Sequence, residues 1–142
     1  MARGGQALLA GGVAEVPGRD GYYIKPALYK TQPGLDVNPQ EVFHCYATIC
    51  PVDSAEQALQ LANSSPYGLG ASVWTRDIER GVALAKQFRD GTVQVNCHNS
   101  IAYGLPYGGQ GISGGPGGGV NCEETFRDYT QVKAVYVADY PA

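Results

Sequence analysis

Residues 66–77 read Pro-Tyr-Gly-Leu-Gly-Ala-Ser-Val-Trp-Thr-Arg-Asp, and this stretch decides the fold. Its first three residues have the composition of a turn, and Leu69 to Thr75 is an apolar run that predicts a short strand. Either Thr75 or Asp77 can then cap a helix. A turn, a strand and a helix start in immediate succession are typical of the middle of an α/β unit.

The same alternation extends to both sides of the quoted stretch. Val42 to Val52 is rich in β-branched and aromatic residues, which predicts a buried strand. A helix capped by Asp53 follows, and a second helix after Asp77 precedes a strand over Thr92 to Asn96. Gly91 is predicted to end the second helix in the left-handed conformation. The order strand, helix, strand, helix, strand predicts an α/β fold with a partial parallel sheet and flanking helices.

The N-terminal third carries weaker patterns. Residues 1–21 are expected to be loop-like, because Gly11-Gly12 interrupts their one apolar run. Residues 22–29 are mostly of the β-forming type, but Pro26 lacks an N–H group. We therefore expect these residues to form edge or irregular strands.

Glycine is over-represented, with 20 residues, and is concentrated between Gly104 and Gly119. This run contains neither of the glycine patterns that open a helix at a phosphate-binding site. We therefore expect a mobile loop rather than a phosphate cradle. A short helix over Glu123 to Arg127 and a last strand over Thr130 to Asp139 are predicted to follow.

Composition argues against several classes of function. The 142 residues fit one ordinary domain, and 44% hydrophobic residues are enough for a core. A net charge of -3 and a pI near 5.2 argue against nucleic-acid binding. No apolar run has the length of a membrane span, and the first residues lack the apolar core of a secretory signal. A cytoplasmic protein without membrane partners is therefore expected.

The four cysteines do not resemble a disulfide framework, so free thiols are expected. The residues that a metal site could use are His44, Cys45, Cys50, Cys97, His98 and Cys122. Their spacing does not match that of zinc sites, because adjacent side chains on a strand face opposite sides. We expect no metal ligands among them and interpret the cysteines as small buried hydrophobic residues. Cys97 also lacks a recognisable helix N-terminus that would activate it as a nucleophile.

Seven separated segments resemble the NAD(P)-dependent aldehyde dehydrogenases, in the order in which that family has them. They are Gly21 to Pro26, Glu41 to Phe43, Ala58 to Asn63, Pro66 to Asp77, Gly91 to Asn96, Leu105 to Gly109, and Tyr129 to Lys133. The resemblance covers nearly the whole chain. It implies that residues 1–128 are the C-terminal portion of the catalytic domain and that residues 129–142 are an oligomerisation strand and tail.

The resemblance implies roles for four residues. Glu41 matches the glutamate that hydrogen-bonds the nicotinamide ribose, and Phe43 matches the aromatic residue beside the nicotinamide ring. Ile101 and Tyr107 match positions that line the aldehyde tunnel. A carboxylate suits the first role because it can accept from two vicinal hydroxyl groups, and apolar walls are usual in substrate sites. The alternatives are that Glu41 makes a local cap or ion pair, that Phe43 belongs to the core, and that Tyr107 only packs under the Gly-Gly turn.

The chain departs from the family pattern at two places. After Phe43 the family usually has Gly-Pro, whereas this chain has His44-Cys45. Between Gly111 and Asn121 the family often has Ser-Gly-x-Gly-Arg-Glu. Ser113-Gly114 fits that pattern, but the Arg-Glu pair is absent.

The reaction that the resemblance implies is oxidation of an aldehyde to a carboxylic acid with NAD or NADP. In the family, a cysteine thiolate attacks the carbonyl, hydride leaves to the nicotinamide, and water hydrolyses the thioester. The cysteine and the base glutamate normally precede the region matched here. This chain is therefore expected to hold no catalytic residue, to need the missing N-terminal half, and to form a homo-oligomer through Thr130 to Val137. The alternative is an autonomous, non-catalytic remnant that serves as a binding or assembly module.

Overall fold

The computed structural model describes residues 5–33, 41–115 and 119–140. Their backbone contacts group the chain into two units, Met1–Ala62 and Asn63–Ala142. The elements in chain order are strands β1 (Gln6–Val16), β2 (Arg19–Lys30) and β3 (Tyr46–Ile49), helix α1 (Ala55–Asn63), strand β4 (Gly70–Val73), helix α2 (Ile78–Ala85), strand β5 (Thr92–Val95), a 3-10 helix (Gly111–Ser113) and helix α3 (Glu123–Asp128).

The first unit contains a three-stranded sheet in the order β1-β2-β3. Strands β1 and β2 form an antiparallel hairpin that turns at Pro17-Gly18, where Gly18 has a φ of 74°. Glycine fits this turn because only a residue without a Cβ adopts such a φ freely. Strand β3 adds in parallel to the second half of β2, from the pair Ala27–Tyr46 to the pair Lys30–Ile49.

The expectation of a loop over residues 1–21 is wrong, because β1 and the start of β2 occupy most of this range. Gly11 and Gly12 do not interrupt β1 but lie within it, with φ values of 70° and 111°. The register places them opposite the region of Pro26 in β2. Pro26 is tolerated because β3 pairs only with the residues after it, so one edge of β2 carries no described strand at that point.

The second unit contains the βαβ arrangement that the sequence predicts. Strands β4 and β5 pair in parallel, and α2 is the connection between them. The cap of α2 is Asp77 rather than Thr75, since the Asp77 carboxylate accepts from the Arg80 N–H at 3.0 Å. Gly81 is buried on the face of α2 toward β5; a Cβ on it would lie 3.0 Å from a Val95 methyl group. The helix therefore packs closely against the strand it precedes.

The described residues contain two small sheets rather than the one partial parallel sheet that the alternation predicts. The predicted strand over Val42 to Val52 is shortened to β3, and β3 pairs with β2 instead of β4. Helices α1 and α3 occupy the positions expected for them. The cap of α1 is Ser54 rather than the predicted Asp53, since the Ser54 hydroxyl accepts from the Gln57 N–H at 3.1 Å. The order of elements along a chain does not specify which strands pair, and this is where the prediction failed.

Gly91 is not a left-handed helix end. Helix α2 ends at Ala85 with Lys86 as its C-cap, and the φ of Gly91 lies outside the left-handed region. A Cβ at Gly91 would instead collide with the carbonyl oxygen of Gly108. The glycine is needed here because two backbone segments pass each other closely, not because of its φ.

Residues 131–140 form no helix or strand within the described structure. The strand predicted over Thr130 to Asp139 therefore has no pairing partner among the residues that the structure describes. Val132, Val135 and Val137 are exposed, with Val132 fully so at 104%. Pairing of this segment with another subunit stays a prediction.

The described residues bury very little. The apolar side chain buried among them is Cys122, and the most buried polar one is Thr31. The accessible surface of the 15.0 kDa chain is 11822 Å². A folded monomer of this mass exposes about 7000 Å², and two separate units of half the mass expose about 8500 Å² together. The accessible surface is therefore larger than expected either for one compact protein of this mass or for two compact units of half the mass.

The cysteines follow this pattern. Cys122 is buried, as expected, but Cys45 is exposed, and Cys50 and Cys97 are only partly covered. The interpretation of all four as buried hydrophobic residues is therefore wrong within this chain. The helices described here are all too short or too polar to cross a bilayer.

Candidate functional site

Glu41 and Phe43 lie in the irregular segment that leads into β3. His44 and Tyr46 each donate their N–H to the carbonyl two residues earlier, at 3.0 and 2.7 Å, so the backbone makes two tight turns in succession. The Cys45 carbonyl accepts from the Ala27 N–H of β2 at 2.9 Å. The His44-Cys45 pair that replaces Gly-Pro of the family is thus the point at which this segment is attached to the sheet.

Both side chains proposed to contact the cofactor belong to exposed residues. Glu41 is exposed, and Phe43 is 94% exposed. The alternative in which Phe43 is a core residue is therefore wrong for the chain by itself. A flat apolar ring and a carboxylate two residues away are compatible with an aromatic group and a pair of hydroxyl groups on one ligand.

Ile101 and Tyr107 lie in the second unit, on the segment that follows β5. Ile101 is 54% exposed, and Tyr107 is partly buried. Tyr107 and Val120 exchange two backbone hydrogen bonds of 2.9 Å, which makes an isolated antiparallel bridge. The position of Tyr107 is therefore fixed by backbone pairing, and Ile101 lies six residues before it on the same segment.

Gln110 and Ser113 of the glycine-rich segment are hydrogen-bonded to Gly68, in the turn before β4. The Gly68 carbonyl accepts from Gly91 at 3.0 Å and from Gln110 at 2.8 Å. The Gly68 N–H donates to the Ser113 hydroxyl at 3.2 Å. The described part of the loop is therefore hydrogen-bonded to Gly68, and its mobility stays a prediction. Glycine is required where the loop backbone approaches itself closely, as between Gly109 and Ser113.

Three asparagines, which the sequence reasoning did not single out, hold loops of the second unit with their side-chain amides. Asn63 bridges the backbone of Gln87 and Arg89, at 3.0 and 2.9 Å. Asn96 both accepts from and donates to the backbone of Thr75, at 2.7 Å each. The third is Asn121. Asn96 and Asn121 have φ values of 57° and 74°. Asparagine directly after a strand, as at Asn96, or two residues after a glycine run, as at Asn121, was the available signal, since it is the non-glycine residue that best tolerates this conformation.

Two carboxylates of the second unit have shifted pKa values, and neither is among the four predicted site residues. Partial burial raises the pKa of Asp90, although its own backbone N–H opposes the shift. The Cys122 thiol, followed by the N–H of Glu124 itself, lowers the pKa of Glu124 at the start of α3. Ser72 Oγ lies 3.2 Å from His98 Nδ1, an exposed pair. Among the residues described, no three His, Cys, Asp or Glu side chains are grouped as metal ligands.

Comparison with known proteins assigns the chain to a family. A family model, the aldehyde dehydrogenase family, matches residues 1–135. An aldehyde dehydrogenase of Agaricus bisporus is 36% identical over 121 residues, which are 84% of this chain and 24% of that protein. The benzaldehyde dehydrogenase [NAD(+)] of Pseudomonas putida is 34% identical over 145 residues, which are 99% of this chain and 28% of that protein.

A solved structure agrees with the sequence comparisons. The indole-3-acetaldehyde dehydrogenase of P. syringae, solved as a mutant in complex with NAD+, matches with a TM-score of 0.80 at 29% identity; the match covers 94% of this chain and 26% of that one. The chain described here belongs to the aldehyde dehydrogenase family. It spans about a quarter of the length of the relatives that it matches.

Proposed function

We propose that this chain supplies cofactor-positioning and substrate-wall residues to an NAD(P)-dependent aldehyde dehydrogenase, which oxidises an aldehyde to a carboxylic acid. The observation that carries the proposal is the family match over residues 1–135, supported by the likeness to a relative solved with NAD+. Because the chain spans only part of its relatives, its residues 1–128 would be the C-terminal portion of a larger catalytic domain.

Glu41 and Phe43 would hold the nicotinamide end of the cofactor. The Glu41 carboxylate would accept hydrogen bonds from the ribose hydroxyl groups, and the Phe43 ring, which is exposed, would lie beside the nicotinamide. The bound nicotinamide supplies the hydride acceptor. Holding the ring in one orientation would limit its freedom.

Ile101 and Tyr107 would form part of the wall around the aldehyde. The half-exposed Ile101 offers an apolar contact to the aldehyde's carbon chain. Tyr107 adds an aromatic body with one hydroxyl group, on a backbone held by its bridge to Val120. These side chains position the substrate and do not form bonds with it.

The thiol nucleophile and the general base would come from a part of the enzyme outside these residues. Cys122 is unsuited to attack, because it is buried and its thiol lies 3.3 Å from the Gly119 carbonyl. The large exposed surface also favours this reading over an autonomous module, since the two units would need further protein to cover their apolar side chains.

The test is to isolate the native polypeptide from its source and compare it with the 142-residue chain. We expect the native polypeptide to be larger, to contain an upstream cysteine loop, and to reduce NAD+ or NADP+ when an aldehyde is added. The 142-residue chain alone should reduce neither cofactor. Aldehyde-dependent reduction by the short chain, abolished by Cys97→Ala or another single cysteine substitution, would contradict the proposal; so would a native polypeptide of the same mass without activity.

A further inference from the structure

One asparagine side chain holds the backbone of the segment that carries Ile101 and Tyr107. Asn121 Nδ2 donates to the Ala102 carbonyl at 2.7 Å and to the Leu105 carbonyl at 3.1 Å. Both protons of a single amide group are thus used on the same short stretch. The two acceptors lie between the two proposed wall residues, so the amide fixes the stretch that connects them.

The backbone around Asn121 makes the same connection. The Asn121 carbonyl accepts from the Gly104 N–H at 3.1 Å, and the neighbouring Val120 exchanges two 2.9 Å bonds with Tyr107. Residues 102–107 and 120–121 are therefore joined by backbone and side chain together. Gly104, with a φ of 82°, is the point at which the segment bends.

The conformation of Asn121 explains why this residue type is present. Its φ of 74° is unfavourable for most side chains but is tolerated by asparagine and free for glycine. A glycine at position 121 would keep the backbone conformation but would lose both side-chain hydrogen bonds.

We propose that Asn121 is a positioning residue that fixes the shape of the aldehyde wall formed by Ile101 and Tyr107, and that it thereby sets which carbon chains the enzyme accepts. The inference rests on the proposed function. Asn121 is the last residue of the segment 111–121, in which the chain lacks the Arg-Glu pair that the family often has. The amide would act through the wall backbone alone and would not touch the reacting carbonyl.

The experiment uses the complete native polypeptide with two substitutions at this position. Asn121→Gly removes the amide without straining the backbone. Asn121→Asp keeps the side-chain shape but turns an oxygen toward two carbonyl oxygens. The matched control is Asn96→Gly. Asn96 has the same left-handed conformation, and its side chain also makes two hydrogen bonds, which go to the backbone of Thr75 rather than to the wall.

Two measurements are needed, amide hydrogen exchange and the ratio of kcat/KM for a long and a short unbranched aldehyde. In both Asn121 variants we expect the Gly104 and Tyr107 amides to exchange about tenfold faster, as the loss of hydrogen bonds of ordinary strength predicts. The ratio of kcat/KM for the long and the short aldehyde should change by about tenfold, chiefly through KM. Contact with about one methylene group of a substrate gives a discrimination of this size. The Asn96→Gly control should accelerate exchange at Thr75 and leave the substrate ratio unchanged.

The outcomes separate this inference from the proposed function. Faster exchange at Gly104 and Tyr107 with an unchanged substrate ratio would overturn the positioning role while leaving an active aldehyde dehydrogenase. Unchanged exchange would show that the amide does not hold the segment, which also overturns it. A native polypeptide that oxidises no aldehyde would overturn both the proposed function and the aldehyde wall, whatever the exchange rates.

Discussion

Glu41 is the side chain on which the proposed cofactor role depends most directly. Glu41→Gln keeps the size of the side chain and removes its charge, and hydrogen bonds to charged groups contribute about 1.5–3 kcal/mol. In the complete enzyme we expect hydride transfer to slow by about tenfold to a hundredfold in single-turnover kinetics. The variant should still fold, which thermal melting checks. Unchanged kinetics would show that the His44-Cys45 turn places this carboxylate away from the ribose.

Gly91 tests the close approach between two backbone segments of the second unit. A Cβ there collides with the Gly108 carbonyl, which is not the flexible end of a side chain and cannot move aside cheaply. We expect Gly91→Ala to lower the free energy of unfolding by about 1–3 kcal/mol, the usual cost of overpacking, seen as a lower urea midpoint. Gly115→Ala is the control, because a Cβ on Gly115 meets nothing within 4 Å. Equal midpoints for the two variants would contradict the close approach.

Some of these residues could be found from the sequence and others could not. Asp77 was one of two predicted caps, because a cap and the N–H it accepts from are three residues apart. The sequence indicates a special role for Gly91 but predicts the wrong one, a helix end. The actual reason is the close approach of Gly108, which is distant in sequence. Asn121 was missed for the same reason: its acceptors lie 19 and 16 residues away. Whether Glu41 and Ile101 hold the roles implied by the resemblance stays a prediction.

At the scale of elements, helix α2 depends on its cap. Asp77→Ala removes the acceptor of the Arg80 N–H, and loss of such caps costs about 0.5–2 kcal/mol. We expect a lower free energy of unfolding and faster amide exchange in the first turn of α2. Arg76→Ala changes an exposed neighbour outside the cap and should have little effect. If both variants unfold at the same denaturant concentration, the cap does not stabilise the unit.

The helices could be predicted better than the strands. Caps and apolar positions three or four residues apart are local signals, and α1, α2 and α3 lie where these signals place them. Strand β1 was missed because its two glycines are typical of loops, and its stability comes from pairing with β2. The pairing of β3 with β2 was missed because no local pattern encodes a partner strand.

At the scale of the whole molecule, we expect the isolated chain to associate. Val135 and Val137 are 76% and 81% exposed, and unpaired apolar segments recruit other chains. Sedimentation of the 142-residue chain should show dimers or larger assemblies at micromolar concentrations. Val135→Lys and Val137→Lys together should shift the chain toward monomer, whereas Val13→Lys, at an equally exposed position of β1, should not. A compact monomer with fast exchange over residues 130–137 would contradict this contact.

The small amount of buried apolar surface could not be read from composition. A content of 44% hydrophobic residues is normal for a globular domain, and the sequence therefore predicted a core. The described residues spread these side chains over two small sheets, and most of them stay exposed. Composition determines how much apolar surface a chain has. How much of that surface is buried depends on which segments pack together in three dimensions.

The hairpin of β1 and β2 has a consequence for the order of events during synthesis. Its strands are joined by a two-residue turn, so their pairing can begin as soon as Lys30 leaves the ribosome. A two-stranded hairpin is only marginally stable alone, and β3 can add to it only after Ile49 has emerged. The parallel pair β4–β5 must wait for the whole of α2. Translation from the N-terminus therefore presents the hairpin before the two parallel pairings of the described residues.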